Sequence, residues 1–146
     1  MPAVRQELVS NSMIYTRFRT AIDSGKLQVR TPTDTSLAEV DRSSEAVGDM
    51  RFLSEVDKQV LALALQLESQ GANPMIVTDD YSIQNVSNQL GLEFAPLMTF
   101  GIRYRLIWAI YCPACHRQYP ADYRMKTCQA CGTELKRKAL RKTPLR

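Results

Sequence analysis

Four cysteines near the C-terminal end constrain the fold of this chain more than any other feature. They form two Cys-x-x-Cys pairs separated by twelve residues, Cys112 with Cys115 and Cys128 with Cys131. Two residues between paired thiolates let both reach one ion from a tight turn, and two such turns complete a tetrahedral site. Gly132 follows the second pair directly and suits the left-handed backbone position that such a turn tends to require. The spacing predicts a small four-cysteine zinc ribbon.

Two other uses of these cysteines compete with a metal site. Two disulfide bonds are one alternative, but a cytosolic setting keeps thiols reduced. A thioredoxin-like redox pair uses one Cys-x-x-Cys motif beside a βαβ unit, whereas this chain carries two motifs in tandem. All-thiolate ligation favours zinc over magnesium or manganese, and four protein ligands leave no open position for chemistry. We therefore predict a structural Zn²⁺, with the neighbouring His116 on the surface rather than on the metal.

Length and composition bound the rest of the chain. Its 146 residues leave room for one ordinary domain or for a small domain plus a metal-stapled module, and 45% of them are hydrophobic, which is normal for a globular protein. The longest apolar runs, around residues 61–67 and 106–111, are too short to span a bilayer. No secretory signal is visible at the N-terminus. We expect a soluble, cytoplasmic protein with no membrane partner.

The net charge of +4 hides a strong asymmetry between the two parts of the chain. Residues 1–100 hold eight Lys/Arg and thirteen Asp/Glu, a balance of −5, whereas residues 101–146 hold eleven Lys/Arg and two Asp/Glu, a balance of +9. A basic part of this kind usually serves a polyanionic partner. A solvated tail that aids solubility is the alternative, and it is weakened because the basic part also contains the cysteines.

Cations and aromatic residues are interleaved around the cysteines. Cations neutralise phosphates, and flat rings can stack on splayed bases. Some rings could instead form the small core of the ribbon, and for Trp108 we favour that role. Residues 102–111 alternate loosely between the two sides of a strand, which could bridge the two parts. The cations predicted to contact RNA are Arg103, Arg105, Arg117, Arg124, Lys126, Lys136, Arg137 and Lys138.

The first hundred residues alternate helices with short apolar strands. Helices are predicted over residues 2–24, 34–47, 54–71 and 82–90, and strands over residues 26–31, 75–78 and 92–95. This alternation predicts an α/β fold with a parallel sheet flanked by helices. The predicted organisation is an α/β domain over residues 1–100, a zinc ribbon over residues 101–135 and a basic tail over residues 136–146.

Acidic residues follow one of these strands. Asp79 and Asp80 come directly after the strand that ends at Thr78, and functional groups gather at the carboxyl ends of parallel strands. Asp57 lies at the start of a helix that could face the same crevice. Clustered carboxylates are tolerable where a hard cation neutralises them. Structural roles remain open: Ser54 and Asp57 have capping-box spacing, and Asp79 could cap the next helix.

A family resemblance rests on two runs of residues, LSEVDKQVLALA over residues 53–64 and IVTDDYSIQN over residues 76–85. These runs resemble the PIN-domain nucleases, and especially the Nin-one-binding (Nob) endonucleases, which join a PIN domain to a four-cysteine zinc ribbon in this order. The resemblance covers nearly the whole chain. It implies an endoribonuclease of ribosome biogenesis that cuts precursor RNA at the 3′ end of small-subunit ribosomal RNA. Its partners would be that RNA and the pre-ribosomal subunit.

The resemblance also implies a second metal site, since PIN domains place four acidic residues around one or two Mg²⁺ or Mn²⁺ ions. Glu7 matches the second acidic residue, Asp57 the third and Asp80 the fourth, with Asp79 beside it. Thr78 and Asn85 would be supporting polar groups.

This chain departs from the family pattern at its beginning. The opening strand that carries the first acidic residue of PIN domains is not found in the sequence. We expect either a shortened chain or a degenerate member that binds RNA during ribosome assembly without cutting it. A third possibility is a DNA-binding zinc ribbon attached to an unrelated α/β domain.

Overall fold

The computed structural model describes residues 12–120, 122–123 and 125–144. Within that part of the chain, no helix is both long and apolar enough to cross a bilayer. Glu7 and Arg124, both predicted site residues, lie outside the described residues. So do residues 2–11 of the helix predicted over residues 2–24. The helices are α1 (Ser12–Asp23), α2 (Asp34–Val47), α3 (Glu55–Ser69) and α4 (Tyr81–Leu90), and a short 3₁₀ helix spans Met50–Phe52. The strands are β1 (Met75–Val77), β2 (Glu93–Ala95), β3 (Tyr104–Tyr111), β4 (Gln118–Tyr119) and β5 (Lys136–Pro144).

Capping residues set the ends of the helices. Thr33 caps α2, and Ser54 begins α3 through a capping box in which its side chain and that of Asp57 each bind the other's backbone N–H. This arrangement satisfies N–H groups that the first turn of a helix leaves unpaired. Gly48 and Gly91 end α2 and α4 in the left-handed conformation. The predicted helices over residues 34–47, 54–71 and 82–90 are confirmed to within a residue or two.

A small parallel sheet organises the first part of the chain. β1 and β2 pair in parallel, with Ile76 opposite Phe94, as predicted. The core beside this sheet contains Val40 and Leu61, both with no exposed surface, and helices α2, α3 and α4 pack on one another. The strand predicted over residues 26–31 is wrong. These residues are coil and largely exposed, because none of the described strands lies beside them to pair with their backbone.

The second part of the chain is an antiparallel sheet in the order β4–β3–β5. Residues 136–144, which we predicted as part of a basic tail, form its longest strand and pair with β3 from Tyr104 opposite Pro144 to Tyr111 opposite Lys136. The prediction failed because charged side chains hid the strand pattern. Lysine and arginine are common on edge strands, where they discourage pairing with other chains. The predicted strand over residues 102–111 is confirmed as β3.

The end of α2 makes a close approach to β3. A Cβ atom built on Gly48 would lie 2.5 Å from the carbonyl oxygen of Trp108, and the φ angle of Gly48 is +77°. A glycine is required here both by the left-handed conformation and by the contact. This backbone contact brings the α/β part and the antiparallel sheet together.

We expect Gly48→Ala to destabilise the protein far more than Gly91→Ala. Gly91 has a similar φ of +81°, but nothing lies within 4 Å of its Cβ position. The control should therefore cost about 1 kcal/mol from backbone strain alone, whereas Gly48→Ala adds a steric overlap and should cost about 3 kcal/mol in all. Urea denaturation measures both losses, and equal values would contradict the close approach.

Candidate metal centres and nucleic-acid interface

The four cysteines converge as the sequence predicts. The Sγ atoms of Cys112, Cys115, Cys128 and Cys131 all lie within 4.8 Å of one another. Cys112 Sγ is 3.4 Å from Cys131 Sγ, and Cys115 Sγ is 3.5 Å from Cys128 Sγ. Four thiolates around a tetrahedral ion at about 2.3 Å are separated by similar distances. The donor set and its size fit one metal ion, with two ligands buried and two exposed.

Both cysteine turns use the same backbone device. The residue after each second cysteine has a positive φ angle, 60° at His116 and 73° at Gly132. The N–H of His116 donates to the Cys112 carbonyl at 3.0 Å, and that of Gly132 donates to the Cys128 carbonyl at 2.8 Å. His116 is exposed and is not part of the thiolate group. It therefore occupies the glycine position of its turn, a role that comparison of the two motifs could have suggested.

A tyrosine supports the buried side of the cluster. Tyr119 Oη lies 2.9 Å from Cys128 Sγ and accepts a hydrogen bond from the backbone N–H of Gln129 at 3.1 Å. The hydrogen bond with Tyr119 lowers the pKa of the Cys128 thiol to about 6, and the same bond raises the pKa of Tyr119 to about 12. A hydrogen bond that favours a thiolate also favours metal ligation. Tyr119 is thus a core residue of the ribbon.

Asp57 has a structural role that leaves part of its carboxylate unused. Its Oδ2 atom accepts hydrogen bonds from Ser54 N at 2.8 Å and from Ser54 Oγ at 2.7 Å. The capping box that the sequence left open is therefore present. Among the described residues, Oδ1 of Asp57 has no hydrogen-bond partner, so this oxygen is available to a cation.

Asp80, rather than Asp79, caps α4. Asp80 Oδ1 accepts hydrogen bonds from Ser82 N at 2.7 Å and from Ile83 N at 3.3 Å. Its own N–H donates to Thr78 Oγ1 at 3.1 Å, a supporting contact at one of the predicted positions. Within the described part of the chain, Oδ2 of Asp80 has no partner. The alternative that Asp79 is the cap is wrong.

Asp79 instead holds the loop that follows β2. Its Oδ1 atom accepts the N–H groups of Leu97 and Thr99 at 3.1 and 2.9 Å, and its carboxylate also accepts the N–H of Met98. Hydrogen bonds from Met98 and Thr99 lower the pKa of Asp79. Because four donors already converge on Oδ1, Asp79 is better suited to shaping this loop than to binding a cation.

The described carboxylates do not form a compact ligand group by themselves. In the ranges that the structure describes, the cysteines are the one set of at least three His, Cys, Asp or Glu side chains with ligand atoms within 4.8 Å of one another. Asp57 and Asp80 lie at the starts of α3 and α4, and Asp79 holds the loop after β2. A role for Glu7, Asp57 and Asp80 in binding Mg²⁺ or Mn²⁺ stays a prediction.

The antiparallel sheet has one strongly basic face. Side chains alternate across a strand, so the residues of β3 and β5 that are paired in register share a face. Tyr111 lies on this outer face, with Lys138 Nζ 5.2 Å from the centre of its ring. The cations of the outer face are Arg105, Lys136, Lys138 and Arg141. Arg105 is half-buried and the other three are exposed, as are the predicted cations Arg103, Arg117 and Lys126.

Arg137 does not belong to that surface. Its Nη1 atom lies 2.6 Å from Oδ1 of Asp49, a carboxylate with no exposed surface. Its guanidinium carbon lies 3.8 Å from the centre of the Phe52 ring and 4.3 Å from that of Trp108. The guanidinium is therefore engaged inside the protein, and we remove Arg137 from the residues expected to contact phosphate. Trp108 packs at this junction rather than in the core of the ribbon.

Asn85 completes the junction. Its Nδ2 atom donates to Oδ2 of Asp49 at 2.6 Å and to the Leu106 carbonyl at 2.8 Å, while its Oδ1 accepts the N–H of Leu106 at 2.8 Å. The neighbouring Gln84 links the Thr78 carbonyl to the N–H of Ile102. Asn85 is thus a structural residue of the junction rather than a support for the acidic site.

Burial and hydrogen bonding act in opposite directions on Asp49. Burial raises the pKa of Asp49, whereas the hydrogen bond from Asn85 and the charge of Arg137 lower it, and burial prevails. We did not predict a role for Asp49 or Gln84 from the sequence. The sequence showed only that residues 82–87 are mostly polar, and their burial on every side of α4 appears only in the structure.

Known proteins are similar to this chain in both of its parts. Residues 1–67 match the family described as the PIN domain of ribonuclease. Endoribonuclease Nob1 of Methanothermobacter thermautotrophicus is 36% identical over 118 residues, 81% of this chain and 68% of that protein. Endoribonuclease Nob1 of Methanocaldococcus jannaschii is 36% identical over 140 residues, 96% of this chain and 66% of that protein. Ribonuclease VapC1 of Thermoplasma acidophilum is 39% identical over 111 residues, 76% of this chain but 54% of that protein.

We expect Arg137→Met to destabilise the protein by about 3–5 kcal/mol at pH 7, because it leaves a buried carboxylate unpaired. Adding Asp49→Asn should recover part of that loss. Since burial raises the pKa of Asp49, the stability contributed by its protonated form falls as the pH rises through that pKa. Without Arg137 the pKa of Asp49 is higher still. The unfolding free energy lost by Arg137→Met should therefore be larger at pH 7 than at pH 5.

Urea denaturation measures each difference from the wild type. Lys138→Met, on the outer face, is the matched control and should change the unfolding free energy by less than about 0.5 kcal/mol. Equal losses of unfolding free energy for Arg137→Met and Lys138→Met would contradict the ion pair between Arg137 and the buried Asp49.

Proposed function

This chain belongs to the Nob1 endoribonuclease family, and on that premise we propose that it is a metal-dependent endoribonuclease of ribosome biogenesis. Its proposed substrate is precursor RNA, cut at the 3′ end of small-subunit ribosomal RNA within a pre-ribosomal particle. The observation that carries the proposal is an alignment with a Nob1 relative over 96% of the chain. That alignment takes in the α/β part and the cysteine cluster in one order, which a generic PIN match would not do.

The cysteine cluster would hold a structural Zn²⁺. All-thiolate sites favour zinc, and a closed set of four protein ligands has no position for a substrate. The ion would fix the two turns that connect β3, β4 and β5. We place the protein in the cytoplasm, where reduced thiols persist.

Glu7, Asp57 and Asp80 would hold Mg²⁺ or Mn²⁺. When bound, these ions supply an activated water and stabilise the leaving 3′ oxygen. Asp57 and Asp80 fit this role because each uses one carboxylate oxygen at a helix start and keeps the other free. Helix capping fixes the position of each carboxylate without consuming it. Asp79 would act as a positioning residue through the loop over residues 97–99.

The outer face of the sheet would bind the RNA backbone. Lysine and arginine on this face neutralise phosphates and fix the register of the RNA, but they carry no sequence information. Tyr111 adds a flat ring to the same face. The chemistry and the positioning would therefore be divided between the two parts of the chain.

We expect one zinc ion per chain by elemental analysis, and Cys128→Ser should lose most of it because one of the four ligands becomes a weak donor. The emission of Trp108, the only tryptophan, should shift to the red as the sheet loosens. Gln129→Ser is the matched control and should retain the metal. Full zinc content in Cys128→Ser would contradict the metal site, as would disulfide bonds between these cysteines in the unfolded wild type.

We expect Asp57→Asn and Asp80→Asn each to lower RNA cleavage about 100-fold or more, since each removes a charged metal ligand. Asparagine can accept the Ser54 hydrogen bonds at position 57 and is a good N-cap at position 80, so the fold should be preserved. Asp23→Asn, at the end of α1, is the control. The substrate is an RNA that spans the small-subunit 3′ end, with Mn²⁺, and the enzyme is expressed from the longest natural reading frame that contains these residues.

Mapped product ends and initial rates decide the outcome. Unchanged cleavage by the Asp57→Asn/Asp80→Asn double variant would show that these carboxylates are not the catalytic ligands. Specific binding without cleavage by the wild type, in both Mg²⁺ and Mn²⁺, would favour the alternative of a catalytically incomplete assembly factor.

A further inference from the structure

A cavity of about 350 Å³ lies between the start of α4 and the inner face of the antiparallel sheet. The part of its wall contributed by α4 includes Tyr81 and Ser82, and the part contributed by β3 includes Tyr104, Leu106 and Trp108. The ion-paired Asp49 and Arg137 also line it. The proposed cation ligands Asp57 and Asp80 are not among its lining residues.

The walls combine flat rings, apolar side chains and positive charge. Tyr81 is 56% exposed and Tyr104 is 48% exposed, so both rings are accessible from solvent. Arg103 and Lys142 add two exposed cations. Aromatic rings beside cations are the combination that binds single-stranded RNA, because bases stack on the rings while the cations neutralise phosphates.

The size of the cavity limits what can enter. Pockets of about 300–1,000 Å³ hold small organic molecules, so this one accommodates a single base and excludes a duplex. A base must therefore be unstacked and unpaired before it can bind.

The polar side chains of the junction that line the cavity offer little for reading a base edge. Both N–H groups of Asn85 are already donated, to Asp49 and to the Leu106 carbonyl. Arg137 donates from Nη1 to Asp49, and its guanidinium carbon lies over the rings of Phe52 and Trp108. With the Asn85 amide and Nη1 of Arg137 committed to the junction, we expect binding to depend mainly on stacking, which tolerates any base.

The position of the cavity relates it to the proposed cleavage site. Tyr81 directly follows Asp80 in the chain, and consecutive Cα atoms are about 3.8 Å apart. Tyr81 and the proposed ligand Asp80 thus share the start of α4, which puts a base stacked on Tyr81 near the proposed cleavage site.

We propose that this cavity binds one unstacked base of single-stranded RNA, held between Tyr81 and Tyr104 with its phosphate near Lys142 and Arg103. The inference rests on the proposed ribonuclease function and adds a subsite to it. The subsite selects an unpaired nucleotide beside the cut without selecting its identity.

The test measures binding of the full chain to single-stranded RNA in Ca²⁺, so that no cleavage is needed. An abasic nucleotide is moved one position at a time along an oligonucleotide that spans the small-subunit 3′ end. At one position the loss of the base should weaken binding about tenfold or more, as expected for one stacked base. Replacing that base by any of the other three should change affinity less than about threefold.

Tyr104→Ala should weaken binding of the intact RNA by a similar factor. In this variant the abasic nucleotide should lower affinity by less than about twofold, because the two changes remove the same contact. Tyr104→Phe should retain the base effect. Tyr111→Ala, on the outer face of the same strand, is the matched control and should leave the base effect unchanged even if it weakens binding overall.

A base effect that persists at full size in Tyr104→Ala would overturn the proposal, as would equal sensitivity to the abasic nucleotide at every position. Tyr81→Ala, at the exposed first turn of α4, provides the same comparison if Tyr104→Ala unfolds. Failure of this subsite with intact cleavage would sink the subsite alone. If Tyr104→Ala abolishes the base effect but neither the wild type nor any variant cleaves RNA, the proposed ribonuclease function would be wrong and the subsite would stand.

Discussion

The buried carboxylate of Asp49 joins the two parts of this protein. It has no exposed surface, and it is neutralised by Arg137 from β5 and hydrogen-bonded by Asn85 from α4. A buried charge is strongly unfavourable without such partners. The side chain therefore requires that the end of α2, the buried face of α4 and the inner face of the sheet meet at one place.

That requirement assigns different roles to the two faces of the antiparallel sheet. The inner face gives Arg137 and Trp108 to the junction and, with Tyr104 and Leu106, forms the wall of the cavity. The outer face carries the cations that we propose contact phosphate. A chain that is basic throughout its C-terminal part thus separates a structural arginine from the cations that face solvent.

The acidic residues show how fold and site share the same atoms. Asp57 and Asp80 each begin a helix with one carboxylate oxygen and keep the other unpaired among the described residues. Asp79, adjacent to Asp80 in sequence, is used by the loop after β2. Local capping therefore accounts for the position of the proposed ligands, while the loop contact distinguishes two neighbouring aspartates of identical chemistry.

The sequence by itself determined features whose signals are local. The spacing of the cysteines predicted their convergence, and capping residues such as Ser54 and Gly91 predicted where helices begin and end, because each acts within a turn of its own position. Only the tertiary structure decided that Arg137 pairs with the buried Asp49, that Asp80 rather than Asp79 caps α4, and that residues 136–144 are a strand. Asp49 and Arg137 are separated by 88 positions, so no local pattern connects them, and the backbone partner of a strand lies elsewhere in the chain.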